Sequence, residues 1–467
     1  MVAAVDYSRV ARAAAAVQEQ AGNLAGEFAK VRIRDFPNED AAELAGVLLA
    51  ACKELANRAS EVGEAAAASK NNAALLARAF RLLGRYNQIV RLVHIYLSFL
   101  RDAEVYTLPS ALSGLLRKKL SLIDPDAHVY MHADDEYNYY YSPIGRLLKE
   151  VLESGGLTTY VNEKFGVVAF PKSESGSTLK CTLLAHEVGH YIYDFRQLDA
   201  EVVQAATHSG DWQRAEACLT TQFIDAKGQL QLDQPRMQHY WSIVFSWLQE
   251  FASDRIAIHL LGPAFVLAWL DYTVAMDDNG DGETHPSPAN RIDVLWSWLR
   301  ADSNPWSDTI VSRLEPRIPW VSAVRSKENL MSASIDWPAD PKEAIRGAAK
   351  ILLPHIAAVV DGVFPSDSLL SQASDYSEKA DEAFELLGKG VPPGEVLVNG
   401  SYSALLDSTA LLVGWMFLLD GLDTQWGDFV EKADQSAKHH AISCLLDEHV
   451  AKAAEVIALR SAWMVNS

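Results

Sequence analysis

The chain has 467 residues, more than one hydrophobic core usually organises, and its 49% hydrophobic and 22% charged side chains are those of a folded protein rather than a disordered one. Its 61 acidic against 41 basic side chains give a formal net charge of -20, which speaks against a nucleic-acid partner and against an anionic membrane surface, both of which need a basic footprint. Four cysteines, Cys52, Cys181, Cys218 and Cys444, stand far apart with no C-x-x-C pair. That spacing writes neither a disulfide framework nor a thiolate zinc site, and reduced thiols in the cytoplasm are expected.

The N-terminal MVAAVDYSRVARAAAAVQEQ carries Asp6, Arg9 and Arg12 within its apolar part, so it reads as an amphipathic helix and not as a secretory signal. From about Ala41 to Arg101 apolar residues recur at helical spacing, which predicts a bundle of long helices. After a turn at Asp124 and Pro125, HVYMHADDEYNYYYS has the aromatic enrichment of a strand, and FGVVAFPKS is a second strand beyond a helix and the Gly155-Gly156 break. TLKCTLLAHEVGHYIYDF then reads as a buried helix, and a further helical block runs from about Met237 to Met276. Two apolar stretches, Ile256 to Leu270 and Ser408 to Leu419, are shorter than the ~18 residues needed to span a bilayer and are expected to be buried helices. HPSPANRIDVLWSWL has prolines suited to a first helical turn, and from about Asp302 onward an all-α layer is expected. The predicted class is α+β, predominantly α: an N-terminal helical region over 1–120, a catalytic domain with a small sheet and two active-site helices over 121–300, and a C-terminal helical region over 301–467.

The chemistry concentrates in His186-Glu187-Val188-Gly189-His190. Residues four apart on a helix share a face, so two imidazoles can grip one metal ion while Glu187 stands beside them to take a proton from water. Five residues with three fixed positions also occur in unrelated helices, so the context decides. A zinc hydrolase needs a third protein ligand and an open position for water. Glu250, in QEFASD, is the candidate ligand, with Asp254 as the alternative; one turn on, Asp254 is also placed to accept the second N–H of a ligating histidine.

H-E-x-x-H followed by E-x-x-S-D resembles the gluzincins, the zinc peptidases related to thermolysin, over about Ala127 to Arg300. The gap from His190 to Glu250 is longer than thermolysin's, and Gly189 with Thr284-His285-Pro286 and Arg291 is more similar to the CAAX-prenyl-protease group, which is membrane-embedded as this chain is not expected to be. The resemblance implies one zinc ion per chain on His186, His190 and Glu250, Glu187 as general base and Asp254 as the carboxylate that orients a ligand. It further implies an oxyanion donor in His285, for which capping or loop order is the alternative, and a substrate or oxyanion contact in Arg291, for which a structural ion pair is the alternative. Gly166, Val167, Val168, Ala169 and Phe170 would form the sheet edge that receives peptide as an added strand, the alternative being a fully paired core strand.

Asp277-Asp278-Asn279-Gly280-Asp281-Gly282 matches the opening positions of a Ca2+ loop, but Pro288 stands where the bidentate glutamate belongs, so a solvated loop is the competing expectation. His128, His132, His259, the His439-His440 pair and Tyr137, Tyr139, Tyr140 and Tyr141 are more often structural than catalytic. The leading expectation is a cytoplasmic zinc endopeptidase acting on a peptide or protein, with helical regions that restrict access or dock a regulatory protein. A zincin-fold scaffold or sensor and a hydrolase of non-peptide amides are the alternatives.

Overall fold

The structure, a computed structural model, describes residues 6–32, 40–102, 110–223, 229–231, 233–275, 280–301, 304–306, 310–311, 341–420 and 435–466. The chain divides into two compact units, Met1–Arg117 with Asp124–Ser175, and Lys118–Ile123 with Gly176–Ser467. The small sheet falls in the same unit as the N-terminal helices, and the H-E-x-x-H helix falls in the second.

In the first unit, Asp6 caps α1 (Tyr7–Phe28) by accepting the Arg9 N–H at 2.9 Å. Val10, Ala14, Val17, Ala21, Leu24 and Phe28 recur every three or four residues and are buried against α2 (Asp40–Ala68) and α3 (Ala73–Asp102). Small residues let these helices approach closely: a methyl group on Gly63 would lie 3.3 Å from Ala14 Cβ. The helix α4 (Ser110–Ile123), whose residues from Lys118 on count with the second unit, precedes β1 (His128–Asp134), β2 (Tyr140–Ser142), α5 (Ile144–Ser154) and β3 (Phe165–Pro171). The aromatic run read as one strand is thus two, broken where Tyr137 and Tyr139 turn their hydroxyls onto the Glu174 carboxylate.

The order in the sheet is β1-β3-β2, with β3 parallel to β1 from His128 opposite Phe165 to Asp134 opposite Pro171, and antiparallel to β2 through Tyr140 opposite Ala169. This corrects the expected edge strand. Gly166 to Phe170 are in the middle strand, paired on both sides where Val167 to Ala169 face β2, and all five are buried. A continuous apolar run is what a strand covered on both faces requires, and FGVVAF has that texture.

In the second unit a 3-10 turn, Lys180–Leu183, feeds α6 (Leu184–Arg196), followed by α7 (Leu198–Ser209), α8 (Asp211–Thr220), α9 (Gln234–Leu261), α10 (Pro263–Ala275) and α11 (Pro288–Arg300). The block expected as one helix to Met276 is broken at Gly262, whose φ of 61° is open to glycine, and Pro263 then starts α10. Helices Pro341–Val363, Ser368–Gly388, Asp407–Asp420 and Gln435–Asn466 follow. The expected all-α region also contains a hairpin, Glu395–Val398 with Ser401–Ala404, turning at Asn399 and Gly400, both at positive φ.

The helix α6 packs on α9, and Pro341–Val363 packs on α9, α8 and α7. Of the two apolar stretches, Ile256 to Leu270 is buried except at the half-buried Trp269, and Ser408 to Leu419 is buried as far as Phe417 and half-buried at Leu418 and Leu419. No single described helix is long and apolar enough to cross a membrane; Pro341–Val363 and Ser368–Gly388 reach that standard only as a pair bent by 78°.

Candidate metal centre

The site lies where α6 crosses α9 inside the second unit. On α6 the one-turn spacing of His186 and His190 aims both rings the same way, with Nε2 atoms 3.0 Å apart. Glu250 on α9 closes the triangle: Oε2 is 3.3 Å from His186 Nε2 and Oε1 is 3.4 Å from His190 Nε2. One ligand atom from each of the three residues falls within 4.8 Å of the others.

Gly189 is what permits this crossing. A Cβ there would sit 2.7 Å from Ser253 Cα and from its carbonyl oxygen, so α6 and α9 meet backbone to backbone between the two ligand pairs. A side chain would hold the helices apart and widen the triangle.

One turn beyond Glu250, Asp254 is fully buried, its Oδ1 2.9 Å from His186 Nδ1. With Nδ1–H committed there, His186 presents the Nε2 lone pair to the triangle. Arg291, on α11, grips Asp254 through Nε to Oδ2 at 2.8 Å and Nη2 to Oδ1 at 2.5 Å, while Nη1 is 3.0 Å from Glu250 Oε2. Its guanidinium lies 3.9 Å from the Trp269 ring centroid, and Phe265 and Trp269, one turn apart on α10, both stack parallel to His186.

Electrostatics follow from that burial. Burial alone pushes the Glu250 carboxyl up, but Arg291 and the two histidines hold it well below the usual carboxylate range. Asp254 is likewise held low, by Arg291 and then His186, against its burial. Burial and Arg291 both disfavour the His186 imidazolium, yet Asp254 and Glu250 prevail and push it up to about 9. Binding of a metal by His186 therefore displaces a proton.

Two imidazoles and a carboxylate are a donor set for zinc and for other first-row divalent ions. The residues fit such an ion: Glu250 Oε2 is buried and has no hydrogen-bond partner despite its neighbours, an arrangement that a cation would satisfy.

Glu187, 6% exposed, is adjacent in sequence to the first histidine and within electrostatic reach of Arg291. His285 lies on the loop before α11, with its side chain 63% exposed, Nε2 3.5 Å from Glu250 Oε1 and Nδ1 2.8 Å from Thr284 Oγ1. That loop is tied down by Trp247 Nε1 donating to the Gly282 carbonyl and by Gly282 N–H donating to the His285 carbonyl. Arg291 is only 3% exposed and engaged with Asp254 and Glu250, so the ion pair, and not a substrate contact, describes it.

Of the calcium-loop residues, Asp277, Asp278 and Asn279 lie outside the described residues. Asp281 is structural: Oδ1 accepts from Ser287 N at 2.6 Å and Asn290 Nδ2 at 2.9 Å, and Oδ2 pairs with Arg346, which fastens the start of α11. The remaining histidines are elsewhere. His128 pairs with Asp40, His132 with Tyr140, and His259 with Asp361, while His440 is 3.8 Å from Cys444 Sγ. Trp269 and Phe265 are the site residues that sequence reasoning missed; their one signal was the four-residue spacing of two aromatics in an apolar helix.

Comparison with protein-family models, with curated proteins and with solved structures finds no match for this chain. The His186, His190 and Glu250 cluster, able to hold a metal ion, thus stands on geometry alone.

Proposed function

We propose that the chain is a zinc-dependent peptidase of gluzincin type, in which water attacks the carbonyl of a peptide bond to give a carboxylate and an amine. The observation that carries this reading is Glu187, a buried carboxylate outside the ligand set and next in sequence to His186 of the His186, His190 and Glu250 cluster. A site that only stores or senses a metal has no need of it, and iron(II) chemistry on the same donors does not call for a base at that position.

A zinc ion on His186, His190 and Glu250 would supply a Lewis acid that makes water acidic near neutral pH. Glu187 takes the proton of the attacking water and afterwards delivers it to the leaving amine. Asp254 fixes the His186 ring through Nδ1. His285, exposed and 3.5 Å from Glu250, would donate to the oxyanion that develops on the carbonyl.

Loss of the expected groove along β3 favours, as a second reading, hydrolysis of a smaller non-peptide amide at the same site. The four cysteines are free, and a cytoplasmic setting with a regulatory protein partner on the helical regions completes the proposal.

The test is to incubate zinc-loaded wild type and Glu187→Gln with an unstructured protein and with a panel of small acyl amides, and to map new N-termini by mass spectrometry. Cleavage of the protein by wild type and not by Glu187→Gln supports the peptidase. Turnover of small amides alone supports the second reading, and turnover by Glu187→Gln equal to wild type refutes both.

A further inference from the structure

Arg291 stands at the centre of the site without being a ligand. Two carboxylates on consecutive turns of α9, Glu250 and Asp254, are 5% and 0% exposed, and Arg291 is the one arginine or lysine among the described residues that contacts both. Its hold on the two is unequal. Asp254 is gripped by two aligned donors, Nε and Nη2, in the fork geometry that fixes orientation. Glu250 Oε2 is 3.0 Å from Nη1 but makes no hydrogen bond, so that attraction is Coulombic only. Trp269, stacked over the guanidinium, keeps the charge from swinging away.

Resting on the zinc reading above, we infer that Arg291 is a built-in counter-cation that keeps Glu250 and Asp254 together in the metal-free chain and weakens zinc binding, so that the ion remains exchangeable. The physical reason is a competition of like charges. A guanidinium 3.0 Å from a ligand oxygen stabilises that oxygen before an ion arrives and repels the ion once it is there. Without Arg291 the two buried carboxylates would be uncompensated, a costly state that zinc itself relieves.

The sign of the effect separates this role from ordinary structural support, because a residue that merely props up a site loosens metal binding when removed. Zinc affinity at pH 8, measured with a competing chelator, and thermal unfolding of the metal-free chain would be compared for wild type and Arg291→Gln. The expected result is zinc binding tighter by about tenfold or more in Arg291→Gln, together with a lower unfolding temperature without metal. Affinity unchanged or weaker overturns the inference. If Arg291→Gln does not fold, Asp254→Asn with Arg291→Gln is compared with Asp254→Asn alone, where the same tightening is expected and its absence is equally fatal. If wild type itself takes up no zinc, the zinc reading fails and the counter-cation role falls with it; if wild type binds zinc and removal of Arg291 does not tighten it, only the counter-cation role fails.

Discussion

Gly189 and Ser253 touch backbone to backbone, so that a methyl group on Gly189 would lie 2.7 Å from both Ser253 Cα and its carbonyl oxygen. The contact joins the helix carrying His186 and His190 to the helix carrying Glu250 and Asp254. Gly189→Ala must move one helix against the other, and overpacking of this kind costs about 1–3 kcal/mol. The variant is expected to unfold at a lower temperature and to bind zinc more weakly, as read by thermal denaturation and metal titration. Wild-type zinc affinity in Gly189→Ala would show that the crossing does not set the ligand triangle.

Asp281 holds the Ser287 N–H, the Asn290 amide and Arg346 on one buried carboxylate. Asp281→Ala takes the acceptor from the Ser287 N–H and the Asn290 amide and one of two carboxylate partners from the half-buried Arg346, which keeps Glu343; leaving such donors unsatisfied costs about 1–3 kcal/mol. The variant should be destabilised, whereas millimolar calcium should leave the unfolding temperature of the wild type unchanged. A rise with calcium that Asp281→Ala abolishes would restore the calcium loop.

Asp447, on the Gln435–Asn466 helix, accepts the Leu179 N–H at 3.0 Å just ahead of α6, and burial pushes its carboxyl up to about 6 from 3.8. The folded chain therefore holds this proton more tightly than the unfolded one. The corresponding stability is fully present below about pH 4 and is lost as pH rises through about 6. Asp447→Asn keeps an acceptor for Leu179 and cannot ionise. Its unfolding temperature should match the wild type near pH 4 and exceed it at pH 8; a difference that does not vary with pH would contradict this.

The parts of the fold written in short-range patterns were legible. His186, His190 and Glu187 declare themselves through a one-turn spacing, and Ser287 before Pro288 marks the start of α11, where its hydroxyl accepts the Asn290 N–H. Long-range pairing was not. Nothing within GVVAFP distinguishes a middle strand from an edge strand, since its neighbours β1 and β2 come from distant segments, and a fully apolar run is compatible with either position. The role of Arg291 was open for the same reason. An arginine on a helix states its charge, whereas its engagement by Asp254 and Glu250 is a property of how α11 meets α9.

The hairpin at Glu395–Ala404 was hidden by its length, since four-residue strands between long helices carry little periodic signal. Its turn, Asn399-Gly400, was the one local cue.

The central claim is tested most directly by the zinc content of the purified chain, measured by mass spectrometry of bound metal in wild type, Glu187→Gln and Glu250→Gln. The account predicts about one zinc per chain in wild type and in Glu187→Gln, and a marked loss in Glu250→Gln, because Glu250 is a ligand and Glu187 is not. Equal zinc in all three variants, or none in wild type, would contradict it.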